Sequence, residues 1–119
     1  MIDFIFKQLS KYYLGLCYSL LIIYLCAMPS PDLPDGMDDK MAHFLAFGGI
    51  GFLYYFLGNS KWLLIILGIL FGVAIEIMQG LLPESFHRGF DVWDILFDLF
   101  GVFTGTLVAF GLEYFFKKN

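Results

Sequence analysis

Four long apolar runs, parted by short polar stretches, set the plan of the chain. From Tyr12 to Pro31 nothing is charged, and twenty such residues suffice to span about 30 Å of hydrocarbon as a helix. Pro29, Pro31 and Pro34 stop that helix, because proline lacks the amide and disfavours a helical residue before it. A second run opens near Asp39 and reaches about Leu57, where Gly58-Asn59-Ser60 reads as a tight turn. The third extends from Lys61 to Leu82 and is ended by Pro83. The fourth, from about Asp91 to Phe116, is followed by Lys117-Lys118. The expected fold is therefore all-α: one polytopic membrane domain over residues 1–119, with four transmembrane helices at about 12–31, 40–57, 61–82 and 91–116. Two short turns make the last three helices successive antiparallel neighbours. Residues 1–11, with Asp3, Lys7 and Lys11, form a short amphipathic stretch expected at the membrane surface. A cleaved leader is the rival reading of the first run, but its apolar core is too long and L-C-A-M-P-S supplies no small-x-small site.

Composition supports the membrane reading. The chain is 60% hydrophobic and 15% charged, whereas a soluble domain carries about 25% charged residues to cover its surface. Its net charge of −4 gives no footing for nucleic acid. Cys17 and Cys26 lie nine residues apart in the first run, on opposite helix faces and roughly 13 Å apart along the axis. They cannot pair with each other and are read as small apolar packing residues.

Basic residues set an orientation. Lys7, Lys11, Lys61, Lys117 and Lys118 fall on one side of the four-helix plan, with Lys40 and Arg88 on the other. The excess of lysine marks the cytoplasmic side, so both termini are expected inside, with the acidic 29–39 linker and the 83–90 turn outside.

Ionisable residues also stand well inside these runs, where an unpaired charge is expensive. Glu76 follows fourteen uncharged residues, with Gln79 one turn beyond it. Asp91, Asp94 and Asp98 recur at helical spacing and share a face with Gly101 and Gly105. Asp39, Lys40 and His43 open the second run. In the expected orientation all of them fall in the outer half of the membrane, and Glu76, Asp94 and His43 should form one hydrogen-bonded cluster capped by Arg88 or Lys40. A plainer reading has Arg88 pair with Asp91 or Asp94 merely to let the fourth helix enter the interface. Gly68-x-x-x-Gly72 and Gly101-x-x-x-Gly105 let helix backbones approach closely. His87 reads as a solvated turn residue, and Trp62 and Trp93 as interfacial anchors.

Asp39-Lys40-x-x-His43, Glu76-x-x-Gln79 and Arg88-x-x-Asp91-x-x-Asp94-x-x-x-Asp98-x-x-Gly101-x-x-x-Gly105, in that order, resemble the VanZ-like membrane proteins. The likeness covers about residues 38–105 and departs at Asp98, where the family pattern has asparagine. It implies a bacterial inner (plasma) membrane protein, associated in some members with low-level resistance to the lipoglycopeptide teicoplanin.

The expected function is binding of an amphiphilic envelope component, a membrane lipid or a cell-wall precursor, by the outward-facing cluster Asp39, Lys40, His43, Glu76, Gln79, Arg88, Asp91, Asp94 and Asp98. A membrane-embedded enzyme acting on a lipid-linked substrate is the alternative, since His43, Glu76 and Asp94 could bind a metal or perform acid–base chemistry, with Arg88 or Lys40 as the anion-stabilising cation, although one histidine makes a weak zinc site. A small transporter or channel is another, with a pore formed by a homo-oligomer. No HExxH, nucleophile elbow or histidine-rich cluster occurs, so neither a metal nor a cofactor is expected.

Overall fold

The computed structural model describes residues 1–9, 12–28, 39–57, 60–87 and 89–117, and all regular structure among them is helical. The helices are α1 (Ile2–Leu9), α2 (Tyr12–Ala27), α3 (Asp39–Tyr55), α4 (Lys61–Leu81) and α5 (Val92–Lys117), with a 3₁₀ turn at Glu84–Phe86. The proline linker, Gly58-Asn59, Lys11, Arg88 and Lys118 lie outside the described residues. Two helices, Lys61–Leu81 and Val92–Phe116, are long and apolar enough to cross a membrane, with mean hydropathies of 2.2 and 1.9. The apolar part of α2, Tyr13–Ala27, is shorter.

Local chemistry fixes the helix ends. Ser60 caps α4, its hydroxyl accepting from the Leu63 amide at 3.0 Å. At the far end the Leu82 amide returns to the Gln79 carbonyl, and Pro83 follows. The turn closes at His87, whose φ of 54° is left-handed, a conformation histidine tolerates better than β-branched residues do. Asp91, expected as the first residue of the last helix, is its cap instead: Oδ1 accepts from the Trp93 amide at 2.9 Å.

The helices joined by short turns do touch, α3 with α4 and α4 with α5, but the most extensive helix contact is between α3 and α5. These two run parallel: Lys40 meets Asp91 and Asp94, His43 meets Asp98, and Tyr55 meets Glu113. Glycine makes this pairing possible. A Cβ on Gly105 would collide with the carbonyl oxygen of Gly48, and one on Gly101 with that of Phe44. Short turns fix which helices follow each other, whereas backbone approach decides which pack tightest. Helix α4 lies antiparallel on α5, with Gly72 against Asp98 and Gly68 against Val102. Helix α2 joins through Tyr18, whose hydroxyl donates to the Ala46 carbonyl, and through the Ser19–Tyr54 hydroxyl pair.

The result inverts a soluble fold. Leu70, Phe100, Phe103 and Leu107 are at least half exposed on the outer faces, while His43, Glu76, Gln79, Asp94 and Asp98 are buried.

Candidate functional site: a buried histidine–carboxylate cluster

Three helices deliver the cluster to one end of the bundle. His43 stands one turn into α3, Glu76 is five residues before the end of α4, and Asp94 and Asp98 occupy the first two turns of α5. Relative exposures are 0% for Glu76, 1% for Asp98, 2% for Asp94 and 4% for His43. Charge this deep requires specific partners, since removing one member of a buried pair typically costs about 3–5 kcal/mol.

Those partners form a chain. Asp98 Oδ1 lies 2.7 Å from His43 Nδ1, a short contact of the kind made when one partner is charged. The other ring nitrogen, Nε2, faces Asp94 Oδ2 at 3.6 Å and Glu76 Oε1 at 3.7 Å. Glu76 Oε2 accepts from the Asp91 backbone amide at 3.0 Å, which ties the end of α4 to the start of α5. Asp94 Oδ1 accepts from Lys40 Nζ at 3.1 Å, and Lys40 also donates to Asp91 Oδ2 at 2.9 Å. Lys40 and Asp91 are partly exposed, so this ion pair forms the mouth of the cluster. The Lys40 ammonium and the Trp93 amide hold the Asp91 carboxyl below the usual carboxylate range. Glu76 Oε1 has no hydrogen-bond partner among the described residues, although it is fully buried.

The residues singled out in the sequence are thus placed as follows. His43, Glu76, Asp94 and Asp98 meet, with Lys40 and Asp91 above them. Gln79 does not join; its amide donates to the Cys26 carbonyl at 3.1 Å and fastens α4 to α2. The Asp39 backbone opens α3, but its side chain and the whole of Arg88 lie outside what is described. His87 is exposed. Two contributors carried no sequence signal. The Asp91 amide is a backbone group, and Phe47, parallel to the His43 ring with centroids 6.4 Å apart, looks like any other core aromatic. Asp98 in the place of an asparagine leaves one task unaltered, because either side chain offers an oxygen to Nδ1–H.

A small bundle with an apolar exterior and charge at its centre is a membrane-associated helical protein. A family model described as VanZ/LLP1 matches residues 37–116, about two thirds of the chain and all of the cluster. The chain belongs to that family. No curated protein and no solved structure matches it.

Proposed function

We propose that the protein crosses the inner membrane four times, with both termini in the cytoplasm, and that its cluster binds the polar head of an amphiphilic envelope component from outside. The observation that carries this reading is the one-ended placement of charge. His43, Glu76, Asp94 and Asp98 gather beneath a half-exposed Lys40–Asp91 pair. Deeper along the same helices the centre is filled by Phe47, Ile50, Ile75 and Val102. That apolar filling favours a site open at one face over a path through the bundle.

Two tryptophans support the span. Trp93 and Trp62 are exposed near opposite ends, and Lys61 sits over the Phe110 ring, which levels the start of α4 with Phe110. Trp93 to Phe110 is seventeen residues of helix, about 26 Å, close to the thickness of a bilayer core. Lys40 at the mouth supplies a cation for a phosphate or carboxylate head group. A site on the outer face would stand where teicoplanin and its cell-wall target meet the membrane, which supports a protective role as part of the proposal.

Native mass spectrometry of the chain released from membranes in mild detergent tests the reading. The unmutated chain should retain a defined lipid or lipid-linked precursor, and Lys40→Gln and Asp94→Ala should lose it at unchanged helix content. Identical retention by all three would refute head-group binding at the cluster.

A further inference from the structure

We propose that a second site, separate from the cluster, takes one hydrocarbon chain of a membrane lipid: a cavity of about 270 Å³ between α2, α3 and α4. The inference rests on the membrane-spanning reading above. Ile50 and Tyr54 of α3 and the buried Leu64 of α4 line the interior, with Ser19 of α2 as a further wall. Leu67, half exposed, stands at the opening.

The space exists because the groups around it are turned elsewhere. Gly68 lines it without a side chain and faces Val102 of α5, where a Cβ would stand 2.8 Å from Cγ2. Tyr54 is drawn to α2: its hydroxyl lies 2.8 Å from Ser19 Oγ, and its ring would stand 3.0 Å from a Cβ on Gly15. The Gln79–Cys26 hydrogen bond fastens α2 to α4 eight residues beyond Phe71, the last α4 residue of the lining. Along α3 and α4, the core residues Phe47 and Ile75 come between the cavity and the cluster.

Chemistry selects a chain over a head group or water. The Ser19 hydroxyl donates to the Gly15 carbonyl at 2.8 Å, so in the Ser19–Tyr54 pair the donor is Tyr54. Both hydroxyl protons are thereby committed, and no charged side chain lines the cavity. A phosphate, a sugar or a water molecule would find no side-chain donor there, and apolar cavities of this kind stay dry. Since about 150 Å³ of apolar cavity takes one benzene, this one holds roughly ten carbons of chain. It is smaller than the roughly 300–1,000 Å³ of sites that enclose a whole drug-sized ligand.

Depth supplies the occupant. Leu64 to Phe71 lie two to nine residues past Trp62, about 3–14 Å from that interfacial anchor and remote from the cluster. The opening therefore faces hydrocarbon, and a lipid tail from the leaflet at that end restores the dispersion contacts that a void forfeits.

The experiment uses the full chain in vesicles doped with a lipid whose acyl chain carries a diazirine at mid-chain. One arm has a zwitterionic phosphocholine head and the other an anionic phosphoglycerol head. After irradiation, tandem mass spectrometry locates the label. Label at Ile50 and Tyr54 should exceed that at Leu70 and Leu107, both about half exposed on outer faces, by about five-fold in both arms. That comparison is made within the unmutated chain and needs no variant to fold. Leu67→Trp should block the opening and lower label at Tyr54 by about five-fold, while Leu70→Trp should leave it unchanged. Label at Tyr54 no higher than at Leu70 and Leu107, label confined to the anionic arm, or label undiminished by Leu67→Trp at native helix content would overturn the cavity site. No label at Leu70 and Leu107 either would sink the membrane span, and this proposal with it. Lys40→Gln acts at the cluster and should leave the label unchanged, so the chain site and head-group binding can fail separately.

Discussion

A single added methyl group should separate the tightest contact of the fold from an indifferent surface. Gly105 and Gly111 lie on the same helix, α5. A Cβ built on Gly105 collides with the carbonyl oxygen of Gly48 and also stands 2.9 Å from the amide nitrogen of Phe52. All of these are backbone atoms of α3, which cannot swing aside as a side chain would. A Cβ on Gly111 meets nothing within 4 Å. Overpacking of this kind costs roughly 1–3 kcal/mol, set against up to about 1 kcal/mol regained from alanine's better helix propensity. Gly105→Ala should therefore destabilise by roughly 1–2 kcal/mol, and Gly111→Ala should stabilise by about 0.5–1 kcal/mol. Reversible unfolding by dodecyl sulfate in mixed micelles, followed by circular dichroism, measures both. Because the same α3–α5 spacing sets the His43–Asp98 contact, Gly105→Ala should also weaken retention of lipid. Equal stability of the two variants, or an unchanged Gly105→Ala, would refute the parallel glycine contact as the frame of the site.

Topology comes next: with Cys17 and Cys26 replaced, an impermeant maleimide on intact cells should label a cysteine at Ser85 and miss one at Ser60, and the opposite pattern would put the cluster in the cytoplasmic leaflet. In a sensitive host, Asp94→Asn should be expressed like the unmutated chain but give no protection against teicoplanin; undiminished protection at equal expression would make the charge structural. For Asp91, the depressed carboxyl contributes stability fully above the ordinary aspartate range, and that contribution disappears as pH falls through its lowered value. The melting difference between the unmutated chain and Asp91→Asn, which keeps the helix cap, should be level from about pH 8 to 6 and close below about pH 3.9; a gap that widens in acid would contradict the Lys40 pairing.

The fold was legible where a local rule decides it. Apolar length located α4 and α5, and helical spacing put Asp94, Asp98, Gly101 and Gly105 on one face, all of them buried. The cost of charge in an apolar run marked Glu76 and His43 before any contact was known. Partner choice was not legible. Gly101 and Gly105 announce a close approach without naming the helix approached, and turn length pointed α3 to α4 when its main partner is α5. Gln79 shared a depth and spacing with Glu76 but turned toward α2, because three residues of helix rotate a side chain by about 60° from its neighbour's direction. The short contact between His43 and Asp98 was not legible for a related reason: distances between helices are a property of packing.

The parallel pairing of α3 and α5 gives the acidic character of the site a physical origin. Two helices packed side by side in the same direction bring their positive N-terminal ends together, an arrangement that repels. Asp91 caps α5 and engages Lys40 on α3, and Asp94 and Asp98 follow within the first two turns of α5. Asp94 and Asp98 offset the paired dipoles, each by roughly 0.3–1 kcal/mol and up to about 2 kcal/mol when partly buried, and Asp91 acts in the same direction. Helix α4 arrives from the other direction and presents its negative C-terminal end, so Glu76 gains no such help from its own helix. Its compensation comes instead from the Asp91 amide at the start of α5 on one oxygen, and from the side facing His43 on the other. The glycines that allow α3 and α5 to lie together therefore also dictate a need for negative charge at one end of the bundle. That charge is gathered around a single imidazole beneath an ammonium group, at the end of the bundle where the head group is proposed to bind.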